Sequence, residues 1–89
     1  MIIKIDSSFV KDTKKIKDRQ LLAKIADCIE EIQMAGNFKQ IKNVKKLHGE
    51  ENFYRIRLGE YRLGIRILEN TVEFIRVLHR KDIYKHFSH

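Results

Sequence analysis

At Phe53 the apolar residues of this chain change their period from 3.6 to 2, so no single type of secondary structure can satisfy both halves. Before that point Phe9, Thr13 and Ile16, and then Leu22, Ile25, Ile29 and Ile32, recur at helical spacing. After it Tyr54, Ile56 and Leu58 alternate with Phe53, Arg55 and Arg57, and Tyr61, Leu63, Ile65 and Ile67 alternate with Arg62, Gly64 and Arg66. Helices followed by a run of strands is the pattern of an α+β domain. Its 89 residues are read as a single domain, 1–89. A chain this short buries only about 60–65% of the surface its unfolded form exposes, so chemistry belongs in a groove or on a face rather than in a deep pocket.

The punctuation fills in the plan. Met1 to Ile5 reads as a first strand, and Ser7 or Ser8 as the cap of a first helix. Asp18 caps a second helix, which Gly36-Asn37 ends because both residues tolerate positive φ. Residues 39–52, with Lys39, Lys42, Lys45 and Lys46, connect this helical hairpin to the strands. Gly59-Glu60 and Glu69-Asn70 are tight turns. In the last strand, Val72 to His79, apolar residues occupy both parities at Phe74, Ile75, Val77 and Leu78, as in a strand buried on both faces. Lys81 to Phe87 closes with one or two helical turns. The expected architecture is β-α-α-β-β-β plus a short C-terminal helix, the hairpin packing on one face of an antiparallel sheet.

Alternation then forces Arg55, Arg57, Arg62 and Arg66 onto the opposite face. The formal net charge is +7, from 19 Lys+Arg against 12 Asp+Glu. Its distribution is uneven: ten of the 12 lysines precede Leu47, and six of the seven arginines lie from Arg55 onward. Arginine makes planar, bidentate contacts with phosphate, which lysine does not. A clustered arginine face therefore suits a polyanion, with Phe53 able to stack on a base; the plainer reading is a solvated outer sheet face. The single Cys28 excludes an internal disulfide and reads as a small helix hydrophobe. His79, His86 and His89 lack metal-ligand spacing, so neither metal nor cofactor is expected. The polar N-terminus and the absence of a bilayer-length apolar run lead to the expectation of a cytoplasmic protein.

Three segments carry a family resemblance. They are Leu47-His48-Gly49, the run from Tyr54 through Arg55, Arg57, Gly59, Tyr61 and Arg62 to Leu63, and the closing His79-Arg80-Lys81-Asp82-Ile83-Tyr84. At their mutual spacing they resemble the RelE/ParE superfamily of toxins from bacterial and archaeal toxin–antitoxin pairs, over essentially the whole chain. The resemblance implies a small toxin that cleaves messenger RNA, usually in the ribosomal A site. The RNA's own 2′-hydroxyl would attack the adjacent phosphate to leave a 2′,3′-cyclic phosphate and a 5′-hydroxyl, with no metal needed.

Matched by motif, the two basic strand positions fall on Arg55 and Arg57, and the arginine of the Gly-x-Tyr-Arg turn on Arg62. The arginine after the last strand falls on Arg80, and the C-terminal tyrosine on Tyr84. Arg62 and Arg80 would neutralise the transition state, Tyr84 would orient a nucleotide, and Arg55, Arg57, Arg66, Lys45 and Lys46 would hold the RNA backbone. The superfamily's best-known ribonuclease sites carry lysines at the strand positions, and lysine can act as a base where arginine cannot. That makes His79 the expected proton-transfer group. The resemblance also implies a cognate antitoxin, whose acidic, partly disordered segment would cover the arginine face or displace the C-terminal helix; the free toxin is expected to be a monomer or weak homodimer. ParE-like relatives act instead on DNA gyrase, and a non-catalytic module that binds only RNA or an antitoxin is a further alternative.

Overall fold

The computed structural model describes residues 1–47, 49, 51–83 and 85. In chain order the elements are β1 (Ile2–Ile5), α1 (Ser7–Lys14), α2 (Arg19–Met34), β2 (Val44–Lys46), β3 (Phe53–Leu58), β4 (Tyr61–Leu68) and β5 (Thr71–His79), with a 3-10 turn at Phe38–Gln40 before β2. The strands form one sheet in the order β1-β5-β4-β3-β2. The expected α+β plan holds from the first strand to the last, with two differences, while the closing helix expected over Lys81 to Phe87 lies partly outside the described residues. A fifth strand, β2, pairs antiparallel with β3 inside the lysine-rich connection. The sheet is mixed rather than antiparallel, because β1 runs parallel to β5. The long connection that a parallel pair requires runs here through both helices and then β2, β3 and β4.

The helix ends differ in detail from the sequence expectation. Asp6, not Ser7 or Ser8, caps α1 and accepts the Ser8 N–H. Asp18 caps α2 as expected, accepting from Gln20 N and Leu21 N at 2.9 and 3.2 Å. Gly36-Asn37 supplies no left-handed cap: α2 ends at Ala35 in extended conformation, and positive φ appears instead at Asn43, Asn52, Glu69, Gly49 and Gly59. The buried stripe of α2 runs through Leu21, Ile25 and Ile32, with Cys28 half-buried between them, so Leu21 rather than Leu22 faces the sheet. A 4-3-4 spacing tracks one face of a 3.6-residue helix as well as 3-4-3 does, and packing selects between them.

Between helices and sheet lies the main core of Phe9, Leu21, Ile25, Ile32, Ile56, Leu63, Ile65, Ile67, Val72, Phe74 and Val77. Phe9 and Phe74 meet edge to face, with ring centroids 5.5 Å apart, a contact adding about 0.5–1.5 kcal/mol beyond area burial. The two apolar parities of β5 have a structural cause. Its register against β4 slips between Ile65, opposite Phe74, and Gly64, opposite Arg76. Around this bulge Phe74 and Val77 enter the main core, while Ile75 and Leu78 pack on the other face. Asp12, buried on α1, receives Val77 N and Arg76 Nε at 2.8 Å and Arg76 Nη2 at 3.2 Å. These hydrogen bonds raise the Arg76 pKa and tie α1 to the bulge.

Candidate nucleic-acid interface

Alternation along β3 and β4 sends Tyr54, Ile56, Leu63, Ile65 and Ile67 into or against the core, and so turns the intervening residues to the far face. There Arg57 stands directly opposite Arg62, Arg55 opposite Gly64, and Phe53 opposite Arg66. Lys45 of β2 pairs with Arg55 on its other side, so Lys45, Arg55, Arg57 and Arg62 form one basic area across three strands. Directly opposed side chains sit about 4.5–5.5 Å apart at Cβ, where like charges are unfavourable unless an anion joins them.

The arginines are held in different ways. Arg62 Nη1 donates to the carbonyls of Gly59 and Tyr61 at 2.8 and 2.9 Å, which draws its side chain to the β3–β4 turn. Arg55 Nη1 reaches the Asn43 carbonyl at 3.2 Å, while its Nε is buried with no acceptor among the described residues. Gly64, opposite, has no side chain to compete for that space. Arg66 pairs with Glu73 at 3.1 Å, which neutralises it at the far end of the face. Lys46 is exposed and opposite Tyr54, whose ring packs on the helix side. Lys46 is therefore of the other parity from Lys45, and Arg66 and Lys46 stand apart from the central cluster.

Arg80 lies just past β5 and is fastened to the same turn. Its N–H donates to the Glu60 carbonyl at 2.9 Å, and its Nε meets Glu60 Oε2 at 3.0 Å. His79 pairs across the strands with Tyr61, and the two rings are edge to face at 5.7 Å. Because Tyr61 packs on the helix-side core, His79 points away from the face bearing Arg62. Its Nδ1 accepts Lys81 N–H at 3.2 Å, which leaves Nε2 to carry the hydrogen, 3.9 Å from Glu60 Oε2. Tyr84, His48, His86 and His89 lie outside the described residues.

The far face is not uniformly basic. Leu47 and Ile83 are buried there, with Phe53, Ile75 and Leu78 packed around them. Phe53 is thus a packing residue of this cluster, and Leu78 stands directly opposite Arg62. The closing segment turns back over the sheet through Asp82 N to His79 O and Lys85 N to Asp82 O. An open groove of about 230 Å³ between α2 and β3, bordered by Arg57, contains Cys28. Burial, aided by Glu31, pushes that thiol up to about 11, so it stays protonated and unreactive near neutral pH.

Sequence inspection missed Glu60, Ile83 and the Asp12–Arg76 pair. Asp12 and Arg76 left a readable signal: an acid three residues after Phe9 on the apolar stripe of α1, and a base inside an apolar strand. Glu60 and Ile83 left none, since their partners are distant in sequence.

The family model of the ParE toxin of type II toxin–antitoxin systems, parDE, matches residues 3–84. Toxin RelE3 of Methanocaldococcus jannaschii is 43% identical over 81 residues, covering 90% of this chain and 91% of that protein. The crystal structure of a RelB–RelE antitoxin–toxin complex from Methanococcus jannaschii superposes with a TM-score of 0.80 at 39% identity, covering 94% of this chain and 98% of that one. A YoeB dimer from Staphylococcus aureus shares the fold at 20% identity and a TM-score of 0.72, covering 90% and 97% of the two chains.

Proposed function

The chain belongs to the RelE/ParE family of toxins of type II toxin–antitoxin systems, and on that premise we propose that it is a RelE-like endoribonuclease that cleaves messenger RNA on the ribosome. The observation that supports this reading is the direct opposition of Arg57 and Arg62 on a sheet face, with Arg55 and Lys45 alongside. A phosphate placed over the pair removes their mutual repulsion and accepts bidentate hydrogen bonds from both. In the reaction the 2′-oxygen attacks phosphorus, the bond to the 5′-oxygen breaks, the 2′-hydroxyl loses its proton and the 5′-oxygen gains one. Negative charge builds on the phosphoryl oxygens, and the guanidinium groups of Arg62 and Arg80 stabilise it. Arg55 and Arg57 hold the backbone, with Lys45 extending the track and Arg66 and Lys46 at its margins. Tyr84 orients a nucleotide, the role the family resemblance implies. His79 takes a different part from the proton transfer expected of it: turned to Tyr61 and joined to Lys81 and Glu60, it orders the turn that carries Arg80.

A cognate antitoxin is the partner, as RelB is for RelE in the archaeal complex. A surface of +7 suits an acidic, partly disordered segment that orders as it covers the arginines.

The test is a purified cell-free translation reaction with message ends read by primer extension. Wild-type protein is expected to cut the message only when ribosomes are present, and Arg62→Ala/Arg80→Ala to lose the cuts while keeping its melting temperature. An intact message with wild-type protein overturns the reading. The ParE description of the matching family model favours gyrase inhibition as the second reading, which a supercoiling assay on the same sample decides.

A further inference from the structure

We propose that Ile83 is a positioning residue for the arginine face: it anchors the closing segment that carries Arg80 onto the outer surface of the sheet. This deepens the ribonuclease reading and rests on it. Ile83 has no exposed surface and lies three residues past the exposed Arg80. It and Leu47 form a cluster with Phe53, Ile75 and Leu78 that shares no residue with the main core on the other face. One strand of the basic area, β3, also lines this cluster, and β5, which borders the area, lines it as well. Phe53 is two residues from Arg55 on the same face of β3, and Leu78 is directly opposite Arg62.

The exposed Arg80 is therefore held from both sides. Upstream, its backbone and side chain are bound to Glu60. That exposed ion pair is weak by itself, since both groups are well solvated. Downstream, Ile83 fills an apolar site, and the hydrogen bonds from Asp82 N to His79 O and Lys85 N to Asp82 O close the turn. Burial of a whole isoleucine outweighs one exposed ion pair, so Ile83 is the stronger of the two fastenings. Without it Arg80 keeps its charge and loses its fixed place, and a displacement of about 1 Å is enough to slow a positioned reaction greatly. Among the described residues after Arg80, Ile83 is the buried one.

Two readouts on the full chain test this, one of them independent of activity. Limited trypsin digestion followed by mass spectrometry measures cutting after the exposed Arg80 and Lys81, with the exposed Lys15 and Lys17 as a control for global unfolding. Ile83→Ala and Leu47→Ala are each expected to raise cutting after Arg80 and Lys81 about tenfold or more, with Lys15 and Lys17 unchanged. Ile83→Leu is expected to restore protection. In the translation assay Ile83→Ala is expected to lower kcat about tenfold or more with KM within about twofold, and Ile83→Leu to recover most of it. Wild-type protection after Arg80 in Ile83→Ala overturns the anchor, as does equal loss of protection at Lys15 and Lys17. Selective loss of protection with unchanged kcat overturns the positioning role. If wild type itself leaves the message intact, the ribonuclease reading fails while the protease result still decides the anchor.

Discussion

Arginine and histidine play separate parts around the β3–β4 turn. Arg57 and Arg62 are placed by strand alternation and need no partner in sequence to face one another. Arg80 and His79 are placed by Glu60, a turn residue whose carboxylate and carbonyl serve both the ion pair and the backbone hydrogen bond. His79 has the chemistry of a general base, but its Nδ1 is engaged with Lys81 N–H and its ring faces Tyr61. Asparagine in its place presents an amide oxygen where Nδ1 accepts. His79→Asn is therefore expected to keep the rate of message cleavage within about threefold of wild type, less than the roughly hundredfold or greater loss on removing a general base, as primer extension over a time course would report. A loss of about a hundredfold or more in the variant restores His79 as the proton-transfer group.

Among the secondary-structure elements, β5 does two jobs because of its bulge. The extra residue lets Phe74 and Val77 enter the helix-side core while Ile75 and Leu78 build the second cluster outside. Asp12 completes the arrangement by taking the Val77 N–H and the Arg76 guanidinium together. Asp12→Ala leaves a guanidinium and a backbone N–H without this acceptor, and breaking a buried pair costs about 3–5 kcal/mol. With Arg76 about a quarter exposed to water, the expected loss is near about 3 kcal/mol. Urea denaturation checks it: the midpoint should fall with an unchanged m-value. A loss below about 0.5 kcal/mol would show that the pair contributes nothing and that packing alone holds α1 to β5.

The molecule as a whole is a sheet with two unlike faces, one covered by helices and one divided between an arginine area and a small apolar cluster. If four guanidinium groups, those of Arg55, Arg57, Arg62 and Arg80, contact phosphate, affinity for a short single-stranded RNA should fall with salt. The slope of log K against log salt is expected to be about −3. Arg57→Ala should reduce the steepness by about 0.7, as fluorescence anisotropy over a range of potassium chloride would report. A slope near zero would mean that the basic area does not contact the RNA backbone.

The period change at Phe53, the turns at Gly59-Glu60 and Glu69-Asn70 and the Asp18 cap were legible because each depends on residues adjacent in the chain. Even the outward arginines were legible, since strand parity transmits local order to a whole face. Joining β1 to β5 in parallel, inserting β2 between the lysines and ending α2 without a left-handed residue were not. Nor was the pairing of Asp12 with Arg76, of Arg80 with Glu60, or of Ile83 with Leu47. Local propensity and alternation say which way a side chain points. Which distant side chain it meets depends on packing free energies summed over the folded chain, and these have no counterpart in any one stretch of sequence.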